Sequence, residues 1–93
     1  MDFNTILYGF MDRVGPDHRI GPAHISLYLA ILYYYKKQGF PTEIYVYSKE
    51  LMKQAKIAGP GTYHKYLREL REYGYIQYIP SYNPILGSLV YLL

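Results

Sequence analysis

Phe3, Ile6, Leu7, Phe10, Met11 and Val14 recur at the three- and four-residue spacings that put them on one face of a helix. Asp2 stands where it can cap the start of that helix, and Gly15-Pro16 stops it. After the loop "GPDHRIGP", Pro22 opens a second helix over residues 22–38. This helix is apolar nearly all round, which predicts a position in the middle of the domain. Lys36 and Lys37 suit its C-terminal end, and Gly39 follows as the stop. "EIYVYS" (residues 43–48) is β-branched and aromatic and reads as a strand. Ser48 is then the expected N-cap of a helix of about two turns that ends near Lys56, with Leu51, Met52 and Ala55 facing inward.

A fourth helix is predicted over residues 60–73, with Tyr63, Tyr66, Leu67, Leu70 and Tyr73 inward and Gly74 in the left-handed position just past its end. The alternating "YIQYI" and "SLVYLL" flank the loop "PSYNPILG" (residues 80–87) and predict a hairpin with a long tip. The order is helix, helix, strand, helix, tight turn, helix, strand, loop, strand. That is a mostly helical α+β layout, the winged helix-turn-helix. One domain is expected over 1–93, with the helix-turn-helix at about 48–74 and the wing hairpin at about 75–92.

Composition adds limits. Half of the 93 residues are apolar, enough for one modest core, and the 14 tyrosines suit a thin domain whose core residues reach the surface. There is no Cys, which excludes disulfides and thiolate zinc sites. The longest apolar run, residues 27–35, is too short to cross a bilayer, so no membrane partner and a cytoplasmic address are expected. His18 and His24 have no ligand-spaced partner; surface or capping roles, not a metal, are expected for both. The charge is uneven: residues 48–71 carry a net +4 within a chain of net +3. A positive face on a near-neutral body is what phosphate binding needs.

The decisive stretch is "KIAGPGTYHKYLRELREYGYI" (residues 56–76). A Walker-type phosphate loop needs Gly-Lys-Ser/Thr on a turn that follows a strand. Here Gly59-Pro60-Gly61-Thr62 follows a helix, no Lys precedes Thr62, and Pro60 has no N–H to offer. The helix-turn-helix accounts for each residue: Gly59 in the turn, Pro60 starting the second helix, Gly61 allowing close approach of a DNA strand. The outward set is Gly61, Thr62, His64, Lys65, Arg68 and Arg71, and His64, Lys65 and Arg68 can share one stretch of major groove. Lys49 and Lys56 add cations beside them.

"HISLYLAILYYY", "TYHKYLRELREYGYIQYIPSYNP" and "GSLVYL" resemble the small winged-helix proteins encoded on bacterial conjugative transposons and prophages. They are similar also to the N-terminal winged-helix domains of some plasmid and phage replication proteins. The resemblance runs from about Pro22 onward. It implies double-stranded DNA as partner, residues 60–73 as recognition helix and residues 80–87 as wing. Such proteins carry a Lys just before the wing Gly, where this chain has Leu86, which leaves Ser81, Tyr82 and Asn83 as a polar and aromatic tip.

Other function classes have less support. No Gly-x-Ser-x-Gly elbow, HExxH or Cys nucleophile is present, and no catalytic residue or cofactor is expected. Glu69 and Glu72, beside Arg68 and Arg71, read as a solvated salt-bridged face. The alternative to DNA binding is a winged helix that docks another protein, and the absence of charge from Ile76 onward keeps it open. The first-helix stripe, with "VYLL", is also wide enough to build a homodimer, the competing reading being packing of helix one on helix two.

Overall fold

The computed structural model describes residues 2–81 and 87–93. Four helices and a small antiparallel sheet form a mostly helical α+β fold: α1 (Phe3–Val14), α2 (Pro22–Lys37), β1 (Ile44–Val46), α3 (Ser48–Ala55), α4 (Pro60–Glu72), β2 (Ile76–Ile79) and β3 (Ser88–Leu92). The strand order is β1-β3-β2, so the hairpin β2–β3 receives β1 on the outer side of β3.

Local chemistry sets most boundaries. The Asp2 carboxylate accepts from the Thr5 N–H at 2.8 Å, capping α1 as expected. Three helices then end in one way, with a residue in the left-handed region and a bond from the next N–H back across six residues. Gly39 (φ +81°) closes α2, Lys56 (φ +62°) closes α3 and Gly74 (φ +86°) closes α4. The matching bonds are Phe40 N to Tyr35 O, Ile57 N to Met52 O and Tyr75 N to Leu70 O, at 2.9, 2.9 and 3.0 Å.

Two boundaries differ from expectation. The strand predicted over 43–48 is shorter, Ile44–Val46, and Ser48 is the first residue of α3, not its cap. Tyr47 takes the cap position; its carbonyl accepts from Leu51 N at 3.0 Å and its side chain caps nothing. The reason is tertiary. Val46 and Leu51 are both buried, and a single residue, Tyr47, links the end of β1 to the start of α3.

The core runs through every element. α2 lies at its centre with Leu27, Tyr28, Ala30, Ile31 and Leu32 buried, and packs on α3, α4 and β1. α1 attaches through Phe10, whose ring stacks on Tyr28 at 3.7 Å between centroids. The core takes only part of its apolar stripe: Phe10 and Val14 are buried, while Met11 is 43% exposed. Arg13 fastens α1 to the far end of the chain, donating to Gly74 O at 2.9 Å and Leu93 O at 3.2 Å. Asp17 holds the α1–α2 loop by accepting from Tyr75 Oη at 2.7 Å and from Arg19. Arg19 beside Asp17, then the Tyr75 hydroxyl, keep its carboxyl well below the usual carboxylate range. This depressed group therefore supports the fold at all pH above the ordinary carboxylate pKa and loses that effect only in stronger acid.

The sheet turns Ile44, Val46, Ile76 and Val90 into the core. Its other face carries Tyr45, Leu89 and Ile79 in one register row across all three strands. The outer edge of β1 is closed: the Gln38 amide donates to Tyr45 O at 2.7 Å and accepts from Tyr45 N at 3.0 Å.

Candidate nucleic-acid interface

On α4, Tyr63, Leu67 and Leu70 are buried, and the remaining positions follow from 100° per residue. Gly61, Lys65, Arg68 and Glu72 form the outward centre line. His64 and Arg71 flank it on one side, Thr62 and Glu69 on the other. All of the outward set named from sequence is exposed: Gly61, Thr62, His64, Lys65, Arg68 and Arg71. Pro60 is the first residue of the helix and Gly59 precedes it, as expected. Gly59 offers no side-chain cap, and the Gly61 and Thr62 N–H groups lie in the first turn, where no helical carbonyl can reach them. A Cβ at Gly61 would meet nothing within 4 Å. Packing among the described residues therefore does not require a glycine there, although it weakens a helix by roughly 0.5–1 kcal/mol relative to Ala.

The two flanks of α4 meet different neighbours. On the His64 side, a cleft of about 390 Å³ separates α4 from the start of α3 and the base of the hairpin. It brings together Lys49, His64 and Ser81, which lie far apart in sequence, with Ser48 and Gly87. Lys49 also lines a second hollow on the outer side of α3, with Lys53 and Lys56. Lys49 thus stands between the other lysines of the α3 side and the His64 flank of α4. Tyr82, Asn83 and Leu86 lie outside the described residues.

The other flank packs against α2 at Glu69, and here the sequence reading needs correction. Glu69 is not part of a solvated pair with Arg68 or Arg71. Its Oε1 lies 2.9 Å from Nε2 of His24 on α2. His24 is 4% exposed, so the capping role expected of it holds and the surface role does not. Its Nδ1 accepts from the Gly21 N–H at 3.0 Å. That bond leaves Nδ1 without a proton, so Nε2 carries the hydrogen and donates to Glu69. The pair ties this flank of α4 to the start of α2. The only sequence signal was a His three residues after a Gly at a Pro-initiated helix start.

Arg68 pairs with Glu72 at 3.8 Å, with both side chains more than half exposed. Such a surface contact is worth roughly 0–1 kcal/mol and leaves Arg68 available to a partner. Lys65 and Arg71 have no carboxylate within ion-pair distance among the described residues.

Lys56 has a separate role that sequence reading missed. It stands in the left-handed slot that Gly39 and Gly74 occupy elsewhere, a conformation unfavourable to non-glycine residues by roughly 1–2 kcal/mol. Lys56→Gly is expected to raise stability by about 0.5–1 kcal/mol in urea denaturation. If Lys56 touches a phosphate, the same change lowers the salt dependence of nucleic-acid binding by roughly one counterion. A loss of stability would contradict this account of the turn.

No protein-family model, curated protein or solved structure matches this chain. Among the described residues, no group of acidic and His side chains is placed to hold a metal ion, and no helix is long and apolar enough to cross a membrane.

Proposed function

We propose that this chain binds double-stranded DNA as a winged helix, of the kind found on bacterial mobile elements, and serves in the cytoplasm as a regulator or replication accessory factor. α3, residues 56–59 and α4 act as the helix-turn-helix, with α4 lying in the major groove and the β2–β3 hairpin as the wing. The observation that carries this reading is the outward line of α4, Gly61, Lys65 and Arg68. It is exposed, its two cations outnumber its one carboxylate, Glu72, and it holds a glycine that packing among the described residues does not require. Arg71 is exposed on the same helix, His64 shares a cleft with Lys49 and Ser81, and Lys56 lies with Lys49 on the outer side of α3.

Binding of a random-sequence duplex, followed by fluorescence anisotropy across a salt series, tests this. Four or five phosphate contacts at roughly 0.9 counterions each give an expected log–log slope of about −4. A slope near zero would rule the surface out. The second reading, a protein-docking winged helix, is favoured by the apolar row Tyr45, Leu89 and Ile79 on the outer sheet face, where Tyr45 and Ile79 are exposed. A homodimer is part of the proposal too, because Tyr8 and Met11 leave α1 with exposed apolar surface beyond what the core takes. Sedimentation of the protein with and without duplex reads this directly, and a monomer in both samples counts against it.

A further inference from the structure

The first turn of α3, the start of α4 and the base of the hairpin border the cleft of about 390 Å³, a volume within the range of small-ligand sites. Its polar groups divide into two sets. On the hairpin side they are used within the chain: Ser88 Oγ accepts from the Ser81 N–H at 3.1 Å and from the Tyr78 hydroxyl at 3.4 Å. On the helical side they are left over. The hydroxyls of Ser48 and Tyr63 both belong to residues that line the cleft, and neither has a hydrogen bond among the described residues.

Tyr63 is 1% exposed. No buried side-chain polar atom among the described residues is sealed off without a partner, so its hydroxyl opens into the cleft that the residue lines. Burial pushes the phenol above its ordinary value, which keeps it a protonated donor at any ordinary pH. α3 adds donors of its own. Tyr47 offers no side-chain cap, and the first backbone bond of the helix runs from Leu51 N to Tyr47 O. The Ser48 and Lys49 N–H groups therefore lie at the positive end of the helix dipole with no helical carbonyl to reach, and both residues line the cleft. Lys49 has no carboxylate within ion-pair distance among the described residues. Glu50, the acidic residue of that turn, is not in the lining, and no other Asp or Glu is.

We infer that this cleft receives a phosphate group, held by the Tyr63 and Ser48 hydroxyls, the first-turn N–H groups of α3 and the Lys49 ammonium. A set of donors with one free cation and no carboxylate matches an anion whose oxygens only accept. A phosphodiester of a duplex backbone and a small phosphate monoester offer the same chemistry. The inference rests on the cleft and stands whether or not the chain binds DNA.

The test is a titration of the full chain with phenyl phosphate, with phenol as the uncharged control, read by amide chemical shifts in ¹H–¹⁵N spectra at Lys49 and His64. The same variants are measured with the random-sequence duplex. Tyr63→Phe removes one hydrogen bond to a charged group and should weaken binding about ten-fold. Its ring stays in the core and the lost hydroxyl has no partner in the described chain, so the fold is expected to hold. Ser48→Pro removes a hydroxyl and an N–H at the first helical position, where proline is favoured, and Tyr47 before it is already extended. It should weaken binding by a similar factor. Weaker phenyl phosphate binding in both variants, with duplex affinity unchanged, assigns the cleft to a monoester. Weaker duplex binding in both assigns it to a backbone phosphate. The inference is overturned if either variant binds both ligands as the parent does, if phenol binds as well as phenyl phosphate, or if the parent binds neither ligand. Phenyl phosphate bound without any duplex binding would remove the DNA reading alone.

Discussion

Replacing Lys65 and Arg68 together by alanine is expected to lower duplex affinity about 100-fold and to leave the fold intact. The two losses differ in kind. Arg68 lies on the outward centre line of α4, and its guanidinium fork suits the guanine edge, a pairing worth about 1–3 kcal/mol of discrimination. Arg68→Ala alone should therefore relax selectivity at one position of a selected site. Lys65 is one helical turn from both Gly61 and Arg68, and a point charge there suits a phosphate. Lys65→Ala alone should weaken all duplexes alike and flatten the salt slope by roughly one counterion. Both side chains are exposed, and only the weak Arg68–Glu72 contact is lost. Thermal stability should stay within about 0.5 kcal/mol of the parent. Unchanged affinity and selectivity in the double variant would sink the placement of α4 on DNA.

Gly87→Ala should destabilise the protein by about 2–4 kcal/mol, the combined effect of a left-handed alanine and an overpacked site. Gly87 stands at the base of the hairpin with φ +70°, and a Cβ there would lie 2.9 Å from the Tyr47 ring and 3.0 Å from the Val46 carbonyl oxygen. The carbonyl belongs to β1, next to β3 in the sheet, and can move only if the strand moves. Gly61→Ala makes the same chemical change at a helical position with empty space around it, and should instead gain about 0.5–1 kcal/mol. Urea denaturation of the two variants reads both signs in one experiment. If Gly87→Ala is as stable as the parent, the contact of the hairpin base with Tyr47 is misplaced. Should Gly61→Ala also weaken duplex binding, a gain in stability beside a loss of function would locate the reason for that glycine outside the chain.

Much of this architecture can be read along the chain because it rests on local forces. Helical spacing placed Tyr63, Leu67 and Leu70 inward and Lys65 and Arg68 outward, since a stripe of apolar residues can be buried in only one orientation. Pro60 and Gly74 marked the ends of α4 because each has a backbone conformation that most other residues resist. Alternation of side chains predicted β2 and β3 for the same kind of reason. What stayed hidden involves partners distant in sequence. Glu69 looked like a surface carboxylate until α2 brought His24 against it, and Gln38 gave no sign that it would close the edge of β1. Met11 fitted the stripe of α1, but the core is filled by Phe10 and Val14 and leaves it outside. Lys56 took a glycine's place because the tight passage from α3 to α4 needs a left-handed residue at that point, whatever its side chain. The sequence by itself determined which elements form and which face of each is apolar, because periodicity and backbone preference act within a few residues. Only the tertiary structure decided which polar groups are paired and which residues of an apolar stripe reach the core, because those depend on contacts that exist only once distant segments have packed.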